Sequence, residues 1–192
     1  MTNKGCEVQS MQVGTSPINL RDPKMKLAKS SYLTAIAAAL LLAATGSVSA
    51  QEAVVPANDI EALFTSPDPT LNANKQVVYH IVRDLIEANH WELADKYLTE
   101  RYIQHNPNAK SGRDGTVYYF TQVLKFPKIP IPTKIGLPVA FVTAEGDLVT
   151  VATIHTEKDP HDASKTYTQT WYDTWRIVDG KADEHWDSSP KY

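Results

Sequence analysis

The amino-acid sequence predicts an α+β domain in which amino-terminal helices pack over a curved antiparallel sheet. Three observations support this class. An apolar stripe with helical spacing follows residue 74, the carboxy-terminal third is rich in β-branched and aromatic residues, and glycine-containing turns separate its apolar runs. Helices followed by strands are typical of a sheet that carries its helices on one face, and the two layers then enclose a pocket.

The first long helix is predicted from residues 77–86. Apolar side chains recur there at intervals of one and four, which places them in one stripe on a helix of about four turns. Asn72 or Asn74 is expected to cap this helix. A short helix is expected over residues 92–98, and a further helix is expected to begin at Ser111 in the manner of a capping box. The inward side chains of that helix are predicted to be Val117, Phe120, Val123 and Leu124.

Four strands are predicted in the carboxy-terminal third, at residues 137–144, 148–156, 166–178 and 181–188. The first three are rich in Val, Ile, Thr, Tyr and Trp, and the connections that contain glycine are typical of hairpins. Residues 126–138 contain four prolines and are therefore expected to form an extended loop.

The amino-terminal 50 residues are interpreted as an upstream extension and a signal peptide, the signal proper covering about residues 25–50. Lysines precede an apolar run at residues 33–44, and Val48-Ser49-Ala50 has the small-x-small pattern of a cleavage site. The run is shorter than the about 20 residues that a permanent span requires, so no stable membrane span is expected after cleavage. A periplasmic or secreted protein is therefore expected, and a buried helix is the alternative reading of the run.

The mature chain is expected to contain a linker, residues 51–72, and one domain, residues 73–192. Removal of residues 1–50 leaves 14 basic and 20 acidic side chains, a net charge of about −6. No basic cluster survives, so nucleic acid is excluded as an expected partner. The one cysteine, Cys6, lies upstream of the domain, which therefore has neither a disulfide nor a thiol nucleophile.

Strand alternation gathers the candidate functional side chains on one face of the predicted sheet. His185 and Asp187 share a face, and His155 ends the inward row of its own strand. The polar segment that ends at Pro107 supplies two more candidates, His105 and Asn106. A concave surface with a few convergent polar groups is the usual form of a small-molecule site.

Such a set of residues suits proton transfer beside a carbonyl group. A carboxylate in an apolar cavity can accept and donate a proton, and a neighbouring imidazole can hydrogen-bond an oxygen on which negative charge develops. No GxSxG, HExxH or P-loop pattern occurs, nor GxGxxG after a strand. The histidines and aspartates match no compact ligand spacing, so we expect neither a metal nor a cofactor.

Structural roles for the same residues stay open at this point. His185 and Asp187 are compatible with a partly exposed pair at the sheet edge. His155 is compatible with a solvated strand end, and His105 with a hydrogen-bonded turn that binds no ligand. For Asp173 a pair with Arg101, with Arg176 or with a strand neighbour is favoured over catalysis. The aromatic group that includes Trp171 is compatible with a core or a dimer contact.

The polar segment and the last two strands resemble the SnoaL-like polyketide cyclases. The matching sequences are Tyr102-Ile103-Gln104-His105-Asn106-Pro107, the run from Asp173 to Lys181, and Glu184-His185-Trp186-Asp187, within a resemblance that covers roughly residues 75–190. In particular they resemble the group predicted to catalyse aldol condensation, in the nuclear transport factor 2-like superfamily. The resemblance implies a cone-shaped α+β barrel with a pocket, and a homodimer.

The resemblance further implies a cofactor-independent acid/base site. Asp187 matches the family's general acid/base, and His155 and His185 are expected to act beside it. His105, Asn106, Trp171 and Asp173 are expected to bind substrate. The expected function is an aldol cyclase or isomerase acting on a small apolar carbonyl compound. The alternatives are a non-catalytic domain that binds a small hydrophobic ligand, and a structural dimerisation module whose cavity is filled by tryptophan side chains.

Overall fold

A computed structural model describes residues 52–192, so the predicted extension and signal peptide at residues 1–50 lie outside the described residues. The described chain folds as an α+β domain around a curved, unclosed five-stranded sheet. The strands are β1 (Leu98–Gln104), β2 (Val139–Glu145), β3 (Leu148–Lys158), β4 (Thr166–Val178) and β5 (Lys181–Trp186). None of the helices in this part of the chain has the length and apolar character that crossing a membrane requires.

Strands β2 to β5 form the antiparallel meander that the sequence predicts. The β4–β5 turn is tight because Asp179 and Gly180 both adopt positive φ, 49° and 77°, which is the backbone of a two-residue hairpin turn. β1 was not among the predicted strands. It pairs in parallel with β5, so the sheet order is β1-β5-β4-β3-β2 and the sheet is not wholly antiparallel.

Four α-helices precede or interrupt the sheet: α1 (Ile60–Leu63), α2 (Pro69–His80), α3 (Ala94–Tyr97) and α4 (Arg113–Tyr118). α2 continues as the π-helical segment Ile81–Glu87, and α4 as Tyr119–Leu124. A 3₁₀ turn, Trp91–Leu93, links the α2 arm to α3. The widened turns change the helical period, which explains why Tyr119 is buried while Val123, predicted to face inward, is 53% exposed.

Both predicted helix caps were wrong. Asp68 caps α2, since its Oδ1 accepts hydrogen bonds from the backbone N–H groups of the first turn, each 2.9 Å long, and Pro69 occupies the first helical position. α4 begins after Gly112, whose φ is 90° and which provides no side-chain cap. The Ser111 hydroxyl instead accepts from the backbone N–H of Gln104 at 3.1 Å, which ties β1 to the start of α4.

The core lies between α2 and the inner face of the sheet. Val78 and Leu85 on the helix, Val149 on β3 and Trp175 on β4 are almost fully buried there. The segment 51–72, predicted as a linker, contains α1 and the first turn of α2 in the structure. Phe64 within it is fully buried and packs edge-to-face on Tyr79, with ring centroids 5.4 Å apart. This early segment therefore contributes to the core.

An ion pair between β1 and β5 fixes the sheet edge. Nε of Arg101 donates to Asp183 Oδ1 at 2.8 Å, its Nη2 donates to Oδ2, and the Thr99 hydroxyl adds a bond of 2.8 Å. These hydrogen bonds, above all those from Arg101, hold the pKa of Asp183 below its ordinary value although burial acts in the opposite direction. The carboxylate form of this residue therefore stabilises the folded state.

We expect Asp183→Asn to lower the melting temperature by a few degrees at pH 7 and by less near pH 3. The folded pKa lies below the unfolded value of about 3.9, so the carboxylate's contribution is present above that pH and is lost as the pH falls through the folded value. Thermal unfolding followed by circular dichroism at both pH values measures the difference. Asp179→Asn, in an exposed turn, is the control. An equal destabilisation at pH 3 would contradict the assignment.

Candidate functional site

The helices and the sheet enclose a cavity of about 750 Å³, here called the outer cavity. Its walls are mainly apolar and aromatic, with Phe120 and Leu124 from the α4 arm facing Val151, Trp171 and Trp175 from the sheet. A second space of about 60 Å³, the inner cavity, adjoins it, and Asp173 and Asp187 line both. The outer volume lies in the range that accommodates a small organic molecule.

Asp173, His185 and Asp187 form a cluster at the boundary of the two cavities. One side-chain ligand atom from each lies within 4.8 Å of the others. His185 Nε2 lies 3.1 Å from Asp173 Oδ1, and the imidazole is only 6% exposed. Strand alternation produces this arrangement, because His185 and Asp187 are two residues apart at the end of β5 and Asp173 lies on the neighbouring β4.

The hydrogen bonds of Gln104 determine where the His185 proton lies. Gln104 Oε1 accepts from the backbone N–H of Asn106 at 3.0 Å, which fixes the amide with its oxygen toward His185 Nδ1, 2.8 Å away. Nδ1 must therefore carry a proton. His185 Nε2 faces a carboxylate oxygen of Asp173, and this contact is a hydrogen bond when a proton lies between the two atoms.

Asp187 is held as a hydrogen-bond acceptor. Its Oδ2 accepts from Asn106 Nδ2 at 2.7 Å, and its Oδ1 accepts from the backbone N–H of Ser189 at 3.0 Å. Asn106 cannot be reversed, because its Oδ1 accepts from the backbone N–H of Asn108 at 2.8 Å. The cluster therefore places a carboxylate that accepts two hydrogen bonds, Asp187, beside the His185–Asp173 pair.

Two aromatic rings hold the His185 imidazole. Tyr102 lies nearly parallel to it with centroids 6.4 Å apart, and Trp175 lies 5.1 Å away on a tilted plane. The indole N–H of Trp175 donates to the Tyr102 hydroxyl at 3.0 Å. Burial raises the pKa of Tyr102 well above its ordinary value, and the charges of the nearby carboxylates add to this effect. The phenol therefore stays neutral beside the cluster.

The remaining predicted residues occupy different places. His155 and Trp171 line the outer cavity and not the inner one, and their rings stack with centroids 4.3 Å apart. His105 lines neither cavity: it stacks on Trp186 at 5.2 Å, and its Nε2 lies 2.8 Å from Glu184 Oε1. The structure therefore brings together Asp187, His185, Asp173 and Asn106, while His155 lies apart from them and His105 lies outside both cavities.

The proposed arginine partners of Asp173 are engaged elsewhere. Arg101 binds Asp183, and Arg176 binds Glu184 and Asp147 at 3.0 and 2.7 Å. Asp173 instead pairs with His185 on the neighbouring strand β5. Of the structural partners expected for Asp173, the two arginines were therefore wrong, and the strand neighbour is the one present. The cause is strand alternation, which turns Arg176 away from the cavity.

Sequence reasoning missed Gln104 and Tyr119. Period-two alternation offered a signal for Gln104, since residues 104 and 106 share a face of an extended segment while residue 105 lies opposite. Tyr119 lines both cavities, and its hydroxyl hydrogen-bonds that of Tyr192, which also lines the outer cavity. No local pattern identifies this contact, because 73 residues separate the two side chains.

The side chains of this cluster are of types that can bind a metal ion. Two carboxylates and one imidazole are ordinary ligands for a divalent cation. In the structure, however, each ligand atom already has a protein partner: His185 binds Asp173 and Gln104, and Asp187 binds Asn106 and Ser189. The arrangement suits proton transfer without requiring a metal.

No protein-family model matches the chain, and no curated protein matches it. Solved structures with a similar fold do exist. They are SnoaL-like polyketide cyclases and nuclear transport factor 2-like proteins. A candidate SnoaL-like polyketide cyclase from a Jannaschia species has 18% identity and a TM-score of 0.43, over 64% of this chain and 89% of its own.

Two further structures have similar statistics. A candidate polyketide cyclase from Acidithiobacillus ferrooxidans has 16% identity and a TM-score of 0.43, over 60% of this chain and 86% of its own. A nuclear transport factor 2-like protein of unknown function from Burkholderia pseudomallei has 14% identity and a TM-score of 0.44, over 60% and 88%. Likeness at this level does not identify a reaction.

We expect Tyr102→Phe to lower the free energy of unfolding by about 1–3 kcal/mol. The substitution removes the hydroxyl that accepts from Trp175, and a buried indole N–H without a partner is costly. Urea denaturation followed by fluorescence measures the change. Tyr167→Phe, at a ring that is 38% exposed, is the control and should change stability by less than about 0.5 kcal/mol. Equal effects of the two substitutions would contradict the importance of this bond.

Proposed function

We propose that the protein is a cofactor-independent acid/base enzyme that enolises a small, apolar carbonyl compound, leading to isomerisation or ring closure. The cluster of Asp173, His185 and Asp187 beside the outer cavity is the observation that carries this proposal. A single ionisable group among aromatic side chains would be sufficient for binding. Several ionisable groups within reach of one another are typical of a catalytic site.

The proton inventory of the cluster supports this class of reaction. Asp187 accepts the proton from the carbon next to the carbonyl, and the C–H electron pair moves to the oxygen to form an enolate. Asp187 then returns the proton to the same or another carbon. In ring closure the enolate carbon instead attacks a second carbonyl group, whose π electron pair moves to its oxygen, and that oxygen takes the proton from Asp187. When a proton lies between His185 and Asp173, it is available to the oxygen on which negative charge develops.

The walls of the outer cavity support an apolar substrate. Phe120, Leu124, Val151 and Trp171 present hydrocarbon and aromatic surface, and their burial by a ligand is favourable. His155, stacked on Trp171, is the polar group placed to contact a distal part of the substrate. We propose His155 and Trp171 as binding residues rather than members of the proton-transfer cluster.

Two other functions remain to be compared with this one. A non-catalytic domain that carries a hydrophobic ligand is the second candidate, and the largely apolar outer cavity favours it. A structural dimerisation module requires that tryptophan side chains fill the cavity. Trp171 and Trp175 line the cavity rather than fill it, and Trp186 lies outside it against His105, so this third function is disfavoured.

Asp187→Asn is expected to slow enolisation at least about 100-fold while leaving folding and ligand affinity nearly unchanged. The amide oxygen can still accept from Asn106 Nδ2, and the bond lost is the one from Ser189 near the carboxy terminus, but an amide cannot take up the proton. The assay is exchange of the α-protons of 2-tetralone, an enolisable bicyclic ketone, for deuterium in D₂O, followed by proton NMR. This readout detects enolisation without knowledge of the natural substrate.

Asp95→Asn is the matched control, because this aspartate is exposed on α3 and should keep the wild-type exchange rate. Equal exchange in Asp187→Asn and the wild type would reject the role of Asp187. Saturable binding of the ketone by the wild type without any exchange would reject the enzyme and support the binding domain.

We further propose export and self-association. Cleavage after Ala50 would release the domain to the periplasm or the medium, a possibility suggested by the charged and apolar segments at residues 24–44. The exposed aromatic side chains of Phe141 and Tyr172, neighbours on the sheet, are a candidate contact for a homodimer. Mass spectrometry of protein purified from its own host tests both the cleavage and the dimer.

A further inference from the structure

Two buried donors have no protein partner, and both belong to residues that line the inner cavity. Within residues 52–192, Trp91 Nε1 and Thr116 Oγ1 are the two buried side-chain polar atoms that lack a hydrogen bond. Trp91 is 5% exposed and Thr116 is 2% exposed. Both line the 60 Å³ space that Asp173, His185 and Asp187 also line. Buried polar groups are normally paired, so these exceptions require an explanation.

Comparable residues in the same domain do have partners. The other deeply buried tryptophan, Trp175, donates its indole N–H to Tyr102. Thr121, on the continuation of α4, donates its hydroxyl to the carbonyl of Val117 at 2.7 Å, the usual bond of a helical threonine. The Thr116 hydroxyl makes no such bond. The fold thus satisfies these groups elsewhere and leaves two donors free beside the proton-transfer cluster.

The chemistry of the two groups identifies what they bind. An indole N–H only donates, so an occupant that satisfies it offers a lone pair, and the hydroxyl of Thr116 can also act as a donor. The space admits a small polar group but not a ring. Two carboxylates line it as well, which disfavours an anionic occupant and favours a neutral one. A carbonyl oxygen meets these requirements.

We propose that the inner cavity is the subsite for the carbonyl oxygen of the substrate, with Trp91 Nε1–H and Thr116 Oγ1–H as its donors. The ligand class rests on the proposed function. When Asp187 takes up the proton in the proposed reaction its charge is removed, so donors fixed before the substrate arrives can then bind the enolate oxygen more strongly than the carbonyl oxygen. Stacking on Phe120 holds the ring of Trp91 in place, with centroids 3.9 Å apart and planes 12° from parallel.

The test compares two ligands that differ at one atom position. 2-Tetralone has a carbonyl group where 2-methylenetetralin has C=CH₂, so both fit the outer cavity and only the ketone has an oxygen acceptor. Titrations of the ¹⁵N-labelled full-length chain give both dissociation constants and follow the indole N–H signal of Trp91, assigned by its loss in Trp91→Phe. We expect the ketone to bind about tenfold more tightly and to shift this signal downfield.

Variants show which side chains produce the preference for the ketone over the alkene. Thr116→Val and Trp91→Phe should each reduce the ketone preference to about threefold or less, while Thr121→Val keeps it at the wild-type value. Asp187→Asn should also keep it, because binding requires no proton transfer. Loss of enolisation with retained ketone preference therefore separates this subsite from the proposed reaction, and failure of one does not imply failure of the other.

Thr116→Val provides a second readout that a merely structural role would not give. Removal of an unpaired buried hydroxyl should leave the unliganded protein as stable as the wild type or raise its melting temperature by about 3 °C, while ketone binding weakens. The proposal is overturned if ketone and alkene bind equally well and the Trp91 signal does not move, the result expected if ordered water fills the space. It is also overturned if Thr116→Val retains the full ketone preference.

Discussion

The parallel pairing of β1 with β5 is the constraint on which the whole site depends. Its register places Gln104 beside His185, and the backbone N–H of His105 donates to the carbonyl of His185 at 3.0 Å. Because both strands run in one direction, a step of two residues on each leads to the next contact, Asn106 with Asp187. A slip of one residue would place His105 on the cavity side and remove both amides from the cluster. The salt bridge of Arg101 with Asp183 lies on the same two strands and holds this register.

Hydrogen bonds between residues close in sequence, within the polar segment that ends at Pro107, determine which atoms Gln104 and Asn106 present to β5 and the residue after it. Gln104 accepts from the N–H of Asn106, and Asn106 accepts from the N–H of Asn108, so neither amide can rotate by 180°. Gln104 therefore presents an oxygen to His185, and Asn106 presents an NH₂ group to Asp187. Gln104 and Asn106 thereby give the two ionisable groups opposite roles in hydrogen bonding: His185 donates through Nδ1, and Asp187 accepts.

Much of the sheet, but only part of the site, could be predicted from the sequence. β2, β3 and β4 are rich in β-branched and aromatic residues, and short connections join β2 to β5 in chain order, so the antiparallel meander can be predicted. β1 is rich in polar residues, and its partner lies about 80 residues away, so no local pattern reveals it. Alternation correctly grouped His185 with Asp187, but it cannot measure distance along a strand, and His155 consequently lies away from them in the outer cavity. The unpaired donors of Trp91 and Thr116 could not be predicted from the sequence, because the absence of a hydrogen-bond partner is a property of the folded chain alone.

The walls of the two cavities are held in different ways. Around the inner cavity, strand pairing, amide orientation and ring stacking fix the side chains of the cluster. Side chains that are already fixed lose little further freedom when a ligand binds. The wall of the outer cavity is built differently, since α4 continues there as a π-helical turn and Ser188, Ser189 and Tyr192 complete the enclosure from beyond the end of β5. These two regions meet at Asp187, whose carboxylate accepts from Ser189 as well as from Asn106. A ligand that displaces the segment after β5 would therefore remove one of the two donors from the proton acceptor. Displacement of this segment by a ligand in the outer cavity would thus change the hydrogen bonding of the Asp187 carboxylate.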